Sequence, residues 1–329
     1  KDAGYAVFIF DKVVADPPQE VVLKGATAIR KFNAGLIIGF GGGSPMDTAK
    51  VIAHLCGSEQ PIESLYGVGK AKGPTLPLML IPTTAGTGSE VTNVAIITTG
   101  KTAKQGIVAD SLYADRVLLD AELTFGLPAS ITAATGIDAM VHAIEAYTSA
   151  HKKNIVSDTL ARQALDLLGA NIRTACTDGK NKEARSNMLL GSMLAGMAFA
   201  NAPVAAVHAL AYPLGGHFHV PHGLSNALVL PSVLDFNKPN AEKLCAEIAP
   251  IICPYLAGKS DAAVTEGMVE GFMKLGPELG MESKLSEVGV NHNHLPMLAE
   301  DAMKQTRLLV NNPRAMTYEA ALDLYTQAL

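Results

Sequence analysis

Tryptophan is absent, aromatic residues make up 5% of the chain, and the four cysteines, Cys56, Cys176, Cys245 and Cys253, form no C-x-x-C pair. Thiols this scattered provide neither a thiolate zinc knot nor a disulfide framework, so a reducing, cytoplasmic compartment is the expectation. Charge is scarce as well: 17% of residues are charged, the formal net charge is -5, and no long run of Lys or Arg occurs. A phosphate backbone or an acidic bilayer surface finds no footprint here, and neither nucleic acid nor membrane is an expected partner. The most apolar stretch, Met188 to Tyr212, is interrupted by Ser192, Asn201, Pro203 and His208. Its Gly and Ala content suits closely packed interior helices better than a lipid span. No internal repeat is present, which sets solenoids aside.

What is present is apolar and patterned. A chain of 329 residues that is 48% hydrophobic has the material for two moderate cores. Short aliphatic runs at Ala6–Phe10, Leu36–Phe40, Leu78–Ile81, Val94–Thr98 and Arg116–Leu119 predict strands, and Pro18–Phe32 has helical spacing. This alternation reads as a parallel α/β layer. Beyond Leu127-Pro128 the strand signal nearly vanishes. Helical patterns follow at Ala129–Ala150, Val156–Arg173, Lys182–Phe199, Val204–Leu210 and Gly223–Asn237. The expected division is an α/β domain over 1–122 and an all-helical domain over 123–329.

Two loops follow predicted strands. Gly41-Gly42-Gly43-Ser44-Pro45-Met46-Asp47-Thr48 offers a sharp turn, Ser44 as a helix cap, a first-turn proline and Asp47 at capping-box distance. Free N–H groups at such a helix start favour a pyrophosphate. Thr83-Thr84-Ala85-Gly86-Thr87-Gly88-Ser89-Glu90 is the second loop, again rich in hydroxyls and glycine. A dinucleotide crevice uses such a pair of loops.

Asp138 and His142 stand four apart in an apolar helix, one turn apart on one face. A carboxylate there is costly unless something positive meets it. Downstream, His208, His217, His219 and His222 crowd a segment punctuated by Pro213, Gly215, Gly216, Pro221 and Gly223. We read Pro213, Gly215 and Gly216 as ending one helix, and Pro221 and Gly223 as bracketing the start of the next. One carboxylate with up to three imidazoles suits Fe²⁺ or Zn²⁺ and is too nitrogen-rich for Mg²⁺ or Ca²⁺. Spacing alone does not choose between the pair His208 and His222 and the pair His217 and His219. His292 and His294 sit in a polar loop and read as solvated.

In that order, Gly41–Lys50, Pro82–Glu90, Thr135–Glu145 and Pro221–Gly223 resemble the iron-containing (group III) alcohol dehydrogenases, and the resemblance runs on to Asn312-Pro313-Arg314. It implies a dehydroquinate synthase-like architecture, with a dinucleotide-binding domain, a helical domain and a metal in the cleft between them. It places the metal ligands at Asp138, His142, His208 and His222, with Asp138 and His222 acting in catalysis through the metal. The implied metal is Fe²⁺, with Zn²⁺ as the alternative. Cofactor contacts, to NAD or NADP, fall on Gly42, Gly43, Ser44, Asp47, Thr83, Thr84, Thr87, Ser89, Lys104 and Leu123. Asn93, Phe199 and Tyr212 fall on the substrate side, and Val204 and Leu210 would add an apolar lining. Members of the family usually continue ahead of the stretch matching Lys1–Phe10, and many carry histidine where this chain has Tyr212.

The implied reaction is hydride transfer between an alcohol and the nicotinamide, with aldehyde or ketone as the other product, in a homodimer or larger homo-oligomer. A dehydroquinate synthase-like lyase and a polyol dehydrogenase-like enzyme are the alternatives on the same fold. The lyase would need Lys and Arg for a phosphorylated substrate, and none occurs between Ala195 and Asn237.

Overall fold

The computed structural model describes residues 4–100 and 103–329. These divide into two compact units. One runs to Thr83 and resumes over Ser89–Asp120; the other comprises Thr84–Gly88 and Ala121–Leu329.

In the first unit, β1 (Ile37–Gly41), β3 (Leu78–Pro82) and β6 (Arg116–Val117) form a parallel sheet in the order β1-β3-β6. A second sheet pairs β2 (Gly67–Val68) in parallel with β5 (Ala103–Val108), and β5 antiparallel with β4 (Val94–Thr99). Helices α1 (Gln19–Phe32) and α2 (Gly43–Gly57) pack on these strands. Alternation in β3 turns Leu78 and Leu80 inward to join Val22, Met46, Ile97 and Ile107 in one core. The expected strand Ala6–Phe10 is not formed. Val7 and Ile9 are exposed and no strand pairs with them, and β-propensity without a partner gives no ladder. Strand β5 is absent from the sequence reading because Lys104-Gln105-Gly106 has poor β-propensity. It is held by pairing with β4, after a turn in which Gly100 takes φ +61°.

The second unit is helical: α3 (Ala129–Tyr147), α4 (Ile155–Thr177), α5 (Lys182–Asn201), α6 (Ala206–Phe218), α7 (His222–Ile252), α8 (Asp261–Glu278), α9 (Leu295–Met303), α10 (Thr306–Leu309) and α11 (Tyr318–Ala328). Helix α3 lies against α4, α5 and α7 and is buried on nearly every side. Contrary to expectation, Pro213, Gly215 and Gly216 do not end α6. Burial of Pro213, Leu214 and Gly215 carries the helix on to Phe218, and His219 stops it in the left-handed conformation, φ 56°. Helix α7 likewise runs through Pro231, Pro239 and Pro250. Among the described residues no single helix is long and apolar enough to cross a membrane, and α5 and α6 bend by 108° at their junction.

A buried ionic knot braces the first unit. The fully buried Lys50 ammonium donates to Ser89 Oγ (2.9 Å), Thr92 Oγ1 (3.1 Å) and the Val94 carbonyl (2.8 Å). Asp47 accepts from Ser89 Oγ (2.5 Å) and from the Ile96 amide (2.9 Å). Glu90 is 1% exposed, and neither of its oxygens has a hydrogen-bond partner. Burial pushes its carboxyl up to about 7. The folded state therefore holds a proton that the unfolded state has released above about pH 4.3. The associated stability is full below that value and is lost as pH rises through about 7. Glu90→Gln removes this titration. Its melting temperature relative to the parent is expected to climb between about pH 5 and pH 8, and a pH-independent difference in thermal unfolding would refute the assignment.

Candidate metal centre

On α3, Asp138, His142 and Glu145 follow at i, i+4 and i+7, which puts them on one face, and the packing of α3 buries all three. His208 comes from the first turn of α6 and His222 is the first residue of α7. One ligand atom from each of Asp138, His142, His208 and His222 lies within 4.8 Å of the others. Asp138 Oδ1 stands 3.9 Å from His142 Nε2, 3.8 Å from His208 Nε2 and 3.6 Å from His222 Nε2. These separations are too long for direct hydrogen bonds. Ligands bound tetrahedrally at ~2.0–2.2 Å stand about 3.3–3.6 Å apart, so these separations lie at or a few tenths of an ångström above the spacing of ligands on a shared ion.

The outward nitrogens argue the same way. His142 Nδ1 faces the Gly86 carbonyl at 3.2 Å, and His208 Nδ1 faces Glu145 Oε2 at 2.7 Å. With both partners acting as acceptors, each Nδ1 carries the proton and each Nε2 lone pair looks inward. Burial pushes both imidazoles below their usual value, which favours the neutral form that can ligate. For Asp138, burial pushes the carboxyl up, but His142, His222, His208 and the Asn226 amide outweigh it and hold it below the usual range. Asn226 donates from Nδ2 to Asp138 Oδ1 at 2.6 Å, and its own buried Oδ1 has no partner. Phe199 stacks on His142 with centroids 4.6 Å apart, and Tyr212 lies 5.9 Å from the His222 ring. Asp138 and His208 are each 2% exposed, whereas the His222 side chain is 33% exposed, so the cluster is open on the His222 side.

The rival histidines lie elsewhere. His217 Nε2 pairs with Asp301 at 2.6 Å, and His219 is exposed at the end of α6. His292 is exposed, and His294 packs on Phe218 and accepts from the Asn291 amide. Val204 and Leu210 are buried, and the Leu210 carbonyl accepts from the buried Tyr325 hydroxyl.

Gly42 precedes α2, with Gly43 and Ser44 in its first turn. Contrary to expectation Ser44 does not cap this helix. Its hydroxyl oxygen accepts from the Asp16 amide at 3.3 Å, and the helix start carries no side-chain cap. Asp47 is likewise drawn away from a capping box by Ser89 and Ile96. The Thr83 amide donates to the Gly41 carbonyl at 2.9 Å, which joins the ends of β1 and β3. Thr84 and Thr87 belong with the helical unit, where Gly86 lies so close to Thr135 that an added Cβ would stand 2.6 Å from the Thr135 Cβ. Leu123 is on a short 3-10 turn of that unit. Lys104 is paired with Asp16 at 2.7 Å, and Asn93 stands 3.5 Å from Asp110.

Glu145, Asn226 and the Gly86 carbonyl were not found by sequence reasoning. Two of them carried a signal. Glu145 falls seven residues after Asp138, on the same helical face, and Asn226 falls four after His222. A backbone carbonyl has no sequence signature.

Comparison with known proteins agrees with this geometry. Residues 1–121 match the family model for iron-containing alcohol dehydrogenase, and residues 132–329 match that for the C-terminal part of the Fe-containing alcohol dehydrogenase family. Long-chain-alcohol dehydrogenase 1 of Geobacillus thermodenitrificans is 40% identical over 316 residues, which is 95% of this chain and 80% of the relative. The crystal structure of a 1,3-propanediol oxidoreductase superposes with a TM-score of 0.96 at 36% identity, covering 100% of this chain and 86% of that one. Sulfoacetaldehyde reductase from Bifidobacterium kashiwanohense, solved in complex with NAD+, gives 0.87 at 31% identity, covering 98% and 83%. The chain belongs to the iron-containing alcohol dehydrogenase family.

Proposed function

We propose that this protein interconverts an alcohol and its aldehyde or ketone with NAD or NADP, using one divalent metal, Fe²⁺ in preference to Zn²⁺, held by Asp138, His142, His208 and His222. The observation that carries the proposal is the convergence of four ligand atoms within 4.8 Å, with the outward nitrogens of His142 and His208 both engaged. At such a cluster divalent iron supplies Lewis acidity toward the alcohol or carbonyl oxygen, and a nicotinamide supplies a carbon that takes or gives hydride.

The chain's own residues bind and orient. Gly42, Gly43 and Ser44 place the uncapped N–H groups of α2 where a pyrophosphate would be received. Thr83, Thr84, Thr87 and Ser89 form the second cofactor loop, with Lys104 and Leu123 as outlying contacts. The bonds made by Asp47 make it a brace for Ser89 and Ile96 as well as a candidate contact. Phe199 flanks the His142 ring and Tyr212 the His222 ring, and both are candidate substrate contacts; the family resemblance adds Asn93 as a third candidate. The proposal extends to a cytoplasmic homodimer or larger oligomer, which sedimentation at micromolar concentration tests.

The test of function is elemental analysis of protein purified without oxygen, combined with NAD and NADP assays against a panel of primary alcohols. About one iron or zinc per chain and metal-dependent reduction of one cofactor are expected. Turnover that survives exhaustive chelation would defeat the proposal.

A further inference from the structure

We infer that Glu145 is a positioning residue: it sets which nitrogen His208 presents to the cluster and also anchors the start of the helix that carries His208. The inference rests on the ligand set proposed above. Helix α6 begins without a cap from its own flanking residue. Glu145, on α3, takes that place: its Oε1 accepts from the Val207 amide at 2.7 Å and its Oε2 from His208 Nδ1 at 2.7 Å. One carboxylate thus fixes both where the first turn of α6 sits and how the imidazole one residue later is turned. At the second nitrogen Asn226 Nδ2 stands 3.3 Å away and can only donate, so it too leaves Nε2 its lone pair, while Glu145 acts on the tautomer from the Nδ1 side.

The chemistry of the swap to amide is specific. The Val207 N–H can only donate, so in Glu145→Gln the amide oxygen must stay opposite it. The NH₂ group then faces His208 Nδ1, where two donors cannot meet. The imidazole is expected to move its proton to Nε2, which turns an inward lone pair into an inward N–H and removes a ligand.

The experiment titrates metal-free protein with Zn²⁺ against a competing chelator for the parent, Glu145→Gln and His208→Ala, and records long-range ¹H–¹⁵N correlations of the imidazoles. Glu145→Gln is expected to bind Zn²⁺ about 10–100-fold more weakly, the usual cost of losing such an orienting partner, with His208 switched from Nδ1–H to Nε2–H. If Glu145 only caps α6, Glu145→Gln would unfold at lower temperature but keep parent affinity and the Nδ1–H form, and the inference is wrong. The parent spectrum is a test that needs no variant, because His208 in the Nε2–H form would overturn the inference by itself. Parent affinity in His208→Ala would remove the ligand assignment, and the inference with it. Loss of affinity in His208→Ala alone would leave the ligands standing and reject only the role of Glu145.

Discussion

Asp138→Asn is expected to purify with little metal and to lose more than about a hundredfold in turnover, beyond what removal of an orienting partner alone costs. The carboxylate is 2% exposed on an apolar helix, and the groups facing its Oδ1 are three imidazole nitrogens and the Asn226 amide. Two readings separate cleanly. If Asp138 serves only as a hydrogen-bond acceptor, asparagine keeps the volume and an oxygen for Asn226, so activity should persist with at most about 1–2 kcal/mol of lost stability. If its charge belongs to a cation held jointly with the imidazoles, neutralising it removes the charge that makes binding favourable while the fold survives. Equilibrium dialysis should then show dinucleotide still bound. His222→Ala should copy the metal loss, whereas His219→Ala, altering an exposed residue at the end of α6, should keep full occupancy. Parent metal content and turnover in Asp138→Asn would end the assignment.

How much of this centre was legible in the sequence follows from the range over which each feature is encoded. Asp138 and His142 share a helix, so a spacing of four residues announces their common face. His208 and His222 belong to different helices, and local punctuation misplaced the boundary between them. Proline and two glycines argued for a stop near Pro213, yet burial carries α6 to Phe218. Only resemblance selected these two over His217 and His219. The reason visible in three dimensions is that Asp301 engages His217, a contact spanning 84 residues that spacing cannot encode. Asp47 shows the same limit. At capping-box distance from Ser44 it reads as part of a helix cap, but its oxygens go to Ser89 and Ile96, more than forty residues away. Strands β1, β3 and β4 were legible because their apolar runs are continuous, whereas β5 owes its existence to a partner.

Gly223→Ala is expected to damage the centre as severely as losing a ligand, although glycine contributes no side chain. A Cβ built at Gly223 would stand 2.6 Å from the Ala134 carbonyl carbon and 3.2 Å from the Thr135 amide nitrogen, and would overlap the Ala134 carbonyl oxygen outright. All three atoms belong to the backbone of α3, one turn before Asp138, so no rotamer change relieves the clash. The start of α7 must move away, and His222, its first residue, moves with it from a position 3.6 Å from Asp138. Overpacking of this kind costs about 1–3 kcal/mol of stability, and a displacement of about 1 Å at a reacting centre costs on the order of a hundredfold in rate. Turnover and metal affinity should therefore fall together, while the melting temperature drops by a few degrees, since about 1 kcal/mol shifts a protein of this size by roughly 2–4 °C. Gly126→Ala is the matched control, because a Cβ there meets nothing within 4 Å. If Gly223→Ala melts lower but keeps parent metal affinity and turnover, α7 tolerates the shift without moving His222, and the close approach of α7 to α3 serves packing alone.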